Sequence, residues 1–407
     1  MGYSKKAVKG IGWAGFLQIA LKGSALLKFV IIAKFLTPVE LGIFGIALLT
    51  IGFFQAITET GISAYLVQVE KEEEKYISPA WLLSMGRGVL LFLLTVIVAY
   101  PISLFFNAKT AFVVILVAGL IPLFSGLENP SIAKFQRNLD FHKDFLFRFL
   151  ISVFDFLAAA ALVIIFRSSL ALVTAVVFTT LFETILSFVF IRPRPKLMFR
   201  TKELKELFHF GKWLTLISGL NYFVEQADSI VVGKILGVGS LGIYELAQKF
   251  SLQIMIDAGG VFSKVTFPLF ARIKGDSKRT GRALRMILLL VSLLFGSMTI
   301  IIFVFSKDIL TVFAGTKWLS ADIPLKIFSL SGLVTAFMAI ITSLFLAHAR
   351  QDITAKILIA RLFILAVLIV PASLYFGIIG TSAVSLISYL LVLPLAGLGL
   401  KQILKKK

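Results

Sequence analysis

Long apolar runs separated by short polar interruptions recur along the whole chain, and they predict twelve membrane-spanning helices. The runs lie roughly at 10–36, 40–69, 79–106, 110–130, 146–166, 169–191, 208–236, 240–270, 283–306, 320–346, 352–376 and 378–400. At 1.5 Å per residue, about 20 apolar residues cross a hydrocarbon layer about 30 Å thick. Within several runs the polar residues recur every three or four positions and so share one helix face. Run seven carries Ser218, Asn221, Glu225 and Asp228; run eight carries Glu245, Lys249, Gln253 and Asp257, with Lys264 on the same side. Run one has Gln18, Lys22 and Lys28, run two Gln55, Glu59 and Ser63, and run six Thr179, Glu183 and Ser187. Asp155 lies midway along run five. A charge at bilayer depth costs about 2.5–3.5 kcal/mol on insertion scales, so these stripes are expected to face the interior of a helix bundle.

The runs also repeat. Residues 22–44 and 222–244 carry related text at a register of 200 residues: Lys34-Phe35-Leu36 returns as Lys234-Ile235-Leu236, and Leu41-Gly42-Ile43-Phe44 as Leu241-Gly242-Ile243-Tyr244. Trp13 falls on Trp213. The expected architecture is an all-α polytopic membrane protein with two pseudo-symmetric six-helix lobes. Residues 1–191 form the first lobe and 208–407 the second. Between them, 192–207 is a cytoplasmic linker: Arg192-Pro193-Arg194-Pro195-Lys196 stops a helix, and 201–206 reads as a short amphipathic helix on the membrane surface. Six spans per lobe give both lobes the same orientation, and a duplicated bundle encloses a space where a transporter holds its cargo.

Composition agrees. Of the 407 residues, 58% are apolar and 15% charged, and mean hydropathy is +0.98. Lys5, Lys6 and Lys9 before an apolar run imitate a secretory signal, but the run is too long and shows no cleavage site, so it is read as the first span. No cysteine is present, which excludes disulfides and thiolate metal sites. His142, His209 and His348 are far apart and receive no role. The net charge of +20 raises the question of nucleic acid, and its distribution answers it. The N-terminal segment, the even-numbered loops and the C-terminus hold 27 Lys and Arg, while the odd-numbered loops hold only Lys109, Arg167, Lys307 and Lys317. That bias places both termini in the cytoplasm by the positive-inside rule, in a cytoplasmic (inner) membrane. The charge then faces anionic lipid headgroups, and no nucleic-acid partner is expected.

Enzymatic signatures are absent. Gly237-Val238-Gly239-Ser240-Leu241-Gly242 fits a dinucleotide fingerprint, but it joins two membrane spans where a βαβ unit is required, so it is a tight turn. No Walker A sequence and no H-E-x-x-H occurs. Lys34, Lys234, Lys212 and Lys326 lie near span ends, where lysine snorkels to headgroups. Arg87, Lys264 and Arg361 are balanced between snorkelling and lining a cavity. Lys22, Lys28 and Lys249 lie deeper and are the best cavity candidates. Glu245 and Lys249, four apart, make one pair. Lys28 and Asp228 are equivalent across the repeat, and a pair between them that closes one side of the central space is a further expectation. A lysine-lined cavity suits an anionic ligand such as phosphate or diphosphate. For any single aromatic, core or lipid contact is the better expectation; Tyr222 and Phe223, beside the stripe, are candidates to contact a polyprenyl chain or sugar rings.

Motifs spread over most of the chain carry a family resemblance. They include Lys34-Phe-Leu-Thr-Pro-Val-Glu-Leu-Gly-Ile-Phe44, Phe135-Gln-Arg-Asn-Leu-Asp-Phe141, Phe210-Gly211 with Trp213, and Asp228-Ser-Ile-Val-Val-Gly-Lys-Ile-Leu-Gly237. Leu241-Gly-Ile-Tyr-Glu-Leu-Ala247, Phe267-Pro-Leu-Phe-Ala-Arg272 and Gly315-Thr-Lys-Trp318 continue it. The chain resembles the polysaccharide-biosynthesis flippases, the O-antigen and exopolysaccharide exporters, which share a superfamily with the multidrug-and-toxin-extrusion (MATE) transporters. Such proteins often have 14 spans; the last pair is expected to be absent here. The resemblance implies a MATE-like two-lobed fold. It also implies alternating access by which an oligosaccharide on polyprenyl diphosphate crosses to the outer leaflet for cell-surface polysaccharide or lipopolysaccharide synthesis.

On that reading the protein is not an enzyme and has no cofactor. Substrate-binding residues are Lys22, Lys28, Lys249, Lys264, Arg87, Gln18, Asn221 and Gln253. Asp228, Glu225, Glu59, Asp257, Asp155, Glu183 and Glu245 serve ion coupling or gating, with H⁺ or Na⁺ as the coupling ion. Partners are membrane lipids, the lipid-linked oligosaccharide, and a polysaccharide polymerase with glycosyltransferases. Competing readings are a cation-coupled multidrug exporter, which calls for a more acidic and aromatic cavity, a non-transporting scaffold of a glycan-assembly complex, and a flippase for the peptidoglycan precursor.

Overall fold

Thr37-Pro38 opens a helix by the rules of helix starts: the Thr37 hydroxyl accepts from Glu40 N (3.3 Å) and proline occupies the first turn. Signals of this kind recur throughout the computed structural model, which describes residues 21–69, 74–138 and 140–404. Among these residues the regular structure is helical: α1 (21–35), α2 (Pro38–Ile57), α3 (Ile62–Gln68), α4 (Glu74–Phe105), α5 (Ala111–Ala118), α6 (Leu120–Ser125), α7 (Ala133–Arg137), α8 (Phe141–Phe166), α9 (Ser169–Phe190), α10 (Thr201–Ile235), α11 (Val238–Phe250), α12 (Leu252–Ile273), α13 (Ser277–Ile309), α14 (Asp322–Ala347) and α15 (Gln351–Leu404). Among the described residues, eight helical stretches are long and apolar enough to cross a membrane, or nine when the pair Ala111–Ser125 and Pro130–Arg137, bent by 64°, is taken as one broken span. Trp13, Gln18 and the lysines before them lie outside the described residues.

Several boundaries differ from the apolar runs. Run two is interrupted: α2 stops at Ile57, Thr58–Gly61 leave the helix, and α3 resumes at Ile62. Run eight breaks at Ser251, whose φ of −127° and ψ of −72° are not helical. The expected surface helix at 201–206 is instead the opening of α10, which runs unbroken to Ile235. It has no separate existence because nothing between Thr201 and Ile235 stops a helix. Runs eleven and twelve are the two arms of α15, divided at Gly377 (φ 60°, ψ −146°). The arms fold back on each other: Ser373 Oγ lies 2.7 Å from Thr381 Oγ1, Arg361 meets Ser388 and Tyr389, and Ile353 packs near Gly399.

The chain divides into two compact units, Met1–Gln226 and Ala227–Lys407. In unit 1, α2 is the most enclosed span; Leu41, Ile43, Ile46 and Ala47 are buried against α5 and α9. α4 and α6 meet through glycine: a Cβ on Gly88 would lie 2.6 Å from Pro122 O, and one on Gly126 2.6 Å from Ser84 O. Small residues let membrane helices approach this closely. In unit 2, α14 is the hub, with Leu325, Phe328, Ala336, Ile340 and Phe345 fully buried among α12, α13 and α15. α13 turns Leu289, Leu293, Ile300 and Val304 outward, the apolar surface a lipid-facing helix needs.

Candidate functional site

The break in α2 builds the site in unit 1. Thr58 ends the helix by turning its hydroxyl back to Phe54 O (2.7 Å), and Gly61 takes the left-handed conformation (φ 61°) that restarts the chain into α3. Glu59 folds onto this loop: its Oε1 accepts from Gly61 N at 3.0 Å. α10 lies against the loop at Gly211, where a Cβ would come 2.6 Å from Thr60 O, and Thr215 Oγ1 donates to Glu59 O at 2.6 Å. From α4, Arg87 reaches across. Its Nε donates to Thr58 Oγ1 (3.0 Å) and its Nη2 to Gln55 O (2.8 Å), so the guanidinium satisfies an orphan carbonyl left by the break. Glu59 Oε2 sits 3.7 Å from Arg87 Nη2, near enough to offset charge.

Beside this arrangement lies a cavity of about 550 Å³. Leu82, Leu83, Leu90, Leu204 and Phe208 form its apolar wall, and Thr58, Glu59, Arg87 and Thr215 its polar end. A smaller chamber of about 70 Å³, lined by Gln55, Ser84 and Ser125, touches the other side of Arg87. Nearby, Tyr76 Oη and Tyr65 Oη both donate to Glu206 Oε2, at 2.6 and 3.3 Å, and Tyr65 stacks edge-on against Phe210. Tyr222 donates to Leu49 O at 2.6 Å, with its ring against Gly52, so it packs α10 on α2.

A second group in unit 1 joins three helices. Lys28 of α1 pairs with Asp155 of α8 at 2.5 Å, and Thr179 of α9 donates to the other carboxylate oxygen at 3.4 Å. Of the two residues expected to pair with each other, Lys28 and Asp228, each has a partner inside its own unit. Equivalence in a repeat leaves the partner open, and Asp155 supplies a carboxylate to Lys28 within unit 1. In unit 2, Asp228 is buried and accepts from Tyr244 Oη (2.8 Å) and from Ser229 N (2.8 Å). Arg361 lies over the Tyr389 ring at 3.8 Å and donates to Ser388.

The other expected residues are distributed as follows. Glu245 and Lys249 pair at 3.5 Å, as their spacing requires, and Gln253 donates to Asp257 at 3.3 Å. Glu183 is half-buried on α9. Lys22, Asn221, Glu225 and Lys264 have exposed side chains on their helices, and Gln18 lies outside the described residues. The sequence pattern places Gln55 only on a polar face, and it singles out neither Thr58, Thr215 nor the tyrosine pair on Glu206. The string Thr58-Glu-Thr-Gly61 was the available signal, since a cap-forming residue followed by glycine marks a helix end.

Comparison with known proteins gives the following. The family described as "Polysaccharide biosynthesis protein" matches residues 31–323. An uncharacterized membrane protein in the cps region of Klebsiella pneumoniae is 23% identical over 390 residues, covering 94% of this chain and 79% of that one. The lipopolysaccharide biosynthesis protein WzxC of Escherichia coli (strain K12) is 22% identical, covering 94% and 78%. The teichuronic acid biosynthesis protein TuaB of Bacillus subtilis (strain 168) is 24% identical, covering 86% and 73%. In fold, the chain is similar to the lipid II flippase MurJ in an inward closed conformation (TM-score 0.73, 16% identity, 97% of this chain and 87% of that one). It is also similar to an inward-facing multidrug resistance MATE family transporter (TM-score 0.76, 12% identity, 96% of each). At these identities the two structures establish the MATE-like fold.

Proposed function

We propose, from the premise that this chain belongs to the polysaccharide biosynthesis protein family, that it is a flippase carrying a polyprenyl-diphosphate-linked oligosaccharide across the cytoplasmic membrane. One observation carries the reading: a half-buried arginine, Arg87, sits at a helix break at the polar end of a largely apolar cavity inside a unit of membrane helices. Such a site suits an amphiphile with an anionic end. The relatives named for lipopolysaccharide and teichuronic acid biosynthesis support the same class of cargo.

The reading extends to twelve spans, with both termini cytoplasmic as the charge distribution requires, and to alternating access. Broken helices are where transporters place their binding groups, because the loosened backbone lines a cavity. The Thr58–Gly61 break meets that description. Lys28 is committed to Asp155 here, which assigns the pair to joining α1, α8 and α9. Coupling to H⁺ or Na⁺ belongs to the acids: occupying a carboxylate changes which of two arrangements is favoured. Asp228, buried and held by Tyr244, is the proposed responder in unit 2. A polymerase and glycosyltransferases are the proposed partners, because the cargo must be built before it is flipped and polymerised after.

Deleting the gene tests the proposal. Lipid-linked sugars should accumulate, surface polysaccharide should fall, and the intact gene should restore both. Unchanged glycan combined with new sensitivity to cationic dyes would point to drug export and overturn it.

A further inference from the structure

We propose that the cavity beside the α2 break seats the phosphorylated end of the polyprenyl carrier without reading the sugar, and that Glu59 is the resident anion that offsets Arg87 until the phosphate takes its free donors. This deepens the flippase reading and rests on it. The geometry of Arg87 comes first. A guanidinium has five N–H donors. Nε is spent on Thr58 Oγ1 and one Nη2 hydrogen on Gln55 O. Glu59 Oε2 at 3.7 Å lies beyond hydrogen-bond reach, so three donors have no hydrogen-bond acceptor among the described residues. Arginine binds phosphate through such a free fork.

Glu59 comes second. Its Oε1 is tied to Gly61 N and its carbonyl to Thr215 Oγ1, so the carboxylate is anchored to the loop and does not close on Arg87. Arg87 is positioned by uncharged atoms of the break and keeps its place when its counter-anion changes. Glu59 therefore offsets the charge while the cavity is empty and leaves the donors for an incoming phosphate.

The wall comes third. Leu82, Leu83, Leu90 and Phe208 suit a branched hydrocarbon, and about 550 Å³ lies within the 300–1,000 Å³ of ligand-sized pockets. A sugar ring there would leave hydroxyls unpaired against leucines. The Thr58 and Thr215 hydroxyls at the polar end already donate to Phe54 O and Glu59 O.

The test uses the full chain purified in a neutral detergent, with farnesyl phosphate as probe and farnesol, inorganic phosphate and phosphatidylglycerol as comparators. Farnesyl phosphate should bind. Arg87→Gln should weaken it on the order of 10- to 100-fold, the range of a lost pair of charge-assisted hydrogen bonds. Glu59→Gln keeps the bond to Gly61 N and should tighten binding several-fold, and Leu90→Trp should abolish it. Arg87→Lys, which keeps the charge, is the variant to use if Arg87→Gln fails to fold, and it should also weaken binding. Equal binding of farnesol, equal competition by inorganic phosphate or phosphatidylglycerol, or no response to Arg87→Gln, Arg87→Lys and Glu59→Gln would each overturn the carrier seat. The two readings fail separately. Restoration of surface polysaccharide in the deletion strain by Arg87→Gln sinks the seat and leaves the flippase standing. Polysaccharide unaffected by the deletion sinks the flippase whatever the cavity binds.

Discussion

Gly211 sets how closely α10 lies on the α2 break, and Gly211→Ala should lower stability by about 1–3 kcal/mol. The added Cβ would sit 2.6 Å from Thr60 O, where ordinary contact begins at 3.4 Å. The nearest atom is backbone, so the two elements must part by about 0.8 Å, and overpacking of this kind costs about 1–3 kcal/mol. A shift of that size stretches the 2.6 Å bond from Thr215 Oγ1 to Glu59 O past hydroxyl range, which removes about 0.5–1.5 kcal/mol more. The better helix propensity of alanine returns about 1 kcal/mol. Gly219 on the same helix is the internal control: a Cβ there meets only Ile57 Cγ2 at 3.7 Å, so Gly219→Ala should be neutral or slightly stabilising. The assay is the apparent melting temperature in detergent, with both variants scanned at one rate because unfolding of such proteins is often irreversible. Equal melting temperatures for the two variants would refute the close approach at Gly211.

Three other changes follow from the same structure. Gly377→Ala places a side chain at φ 60°, ψ −146°, a region open in practice to glycine alone, and should cost about 1–3 kcal/mol in a melting experiment; no loss would mean the α15 arms are joined in some other conformation. Tyr244→Phe removes the 2.8 Å bond to Asp228 at a fully buried position without changing volume, and should lower stability by about 1.5–3 kcal/mol. In the background of Asp228→Asn the same change should cost distinctly less, and an equal cost would show that the hydroxyl acts elsewhere. Lys28→Ala and Asp155→Ala should each destabilise by about 1–3 kcal/mol, below the value for a fully buried pair because both side chains keep about a quarter of their exposure. The double variant should lose less than the sum of the two, and strict additivity in that cycle would deny the pair.

Local signals are legible in the sequence, and tertiary partnerships are not. Thr37-Pro38 and Gly237 mark helix starts through residues adjacent in sequence, and both are joints in the structure. The boundary between runs eleven and twelve falls at Gly377, where the backbone turns. Glu245 and Lys249 met because helix geometry alone brings positions four apart together. The break at Thr58–Gly61 was hidden because hydropathy averages over a span, and two turns of α3 continue the apolar run. Lys28 and Asp155 stand 127 positions apart, and no spacing rule reaches that far. The repeat points from Lys28 to Asp228, but equivalence of positions carries no information about a partner such as Asp155 within the same unit. Arg87 was balanced between headgroup and cavity. Only the packing of α4 beside the broken end of α2 decided it, through Gln55 O and Thr58 Oγ1.

The hairpin of α15 has a consequence for how the protein is made. Its two arms are joined by a single glycine, and the first carries Arg361, whose guanidinium rests on Tyr389 of the second. An arm released alone into lipid would carry that cation unshielded, at about 2.5–3.5 kcal/mol on insertion scales. Handing both arms to the bilayer as one object spares that cost, because Ser388 and Tyr389 meet the guanidinium as the trailing arm arrives. Truncation after residue 377 should leave the leading arm inserted with Arg361 unshielded, less favourably placed by up to that amount.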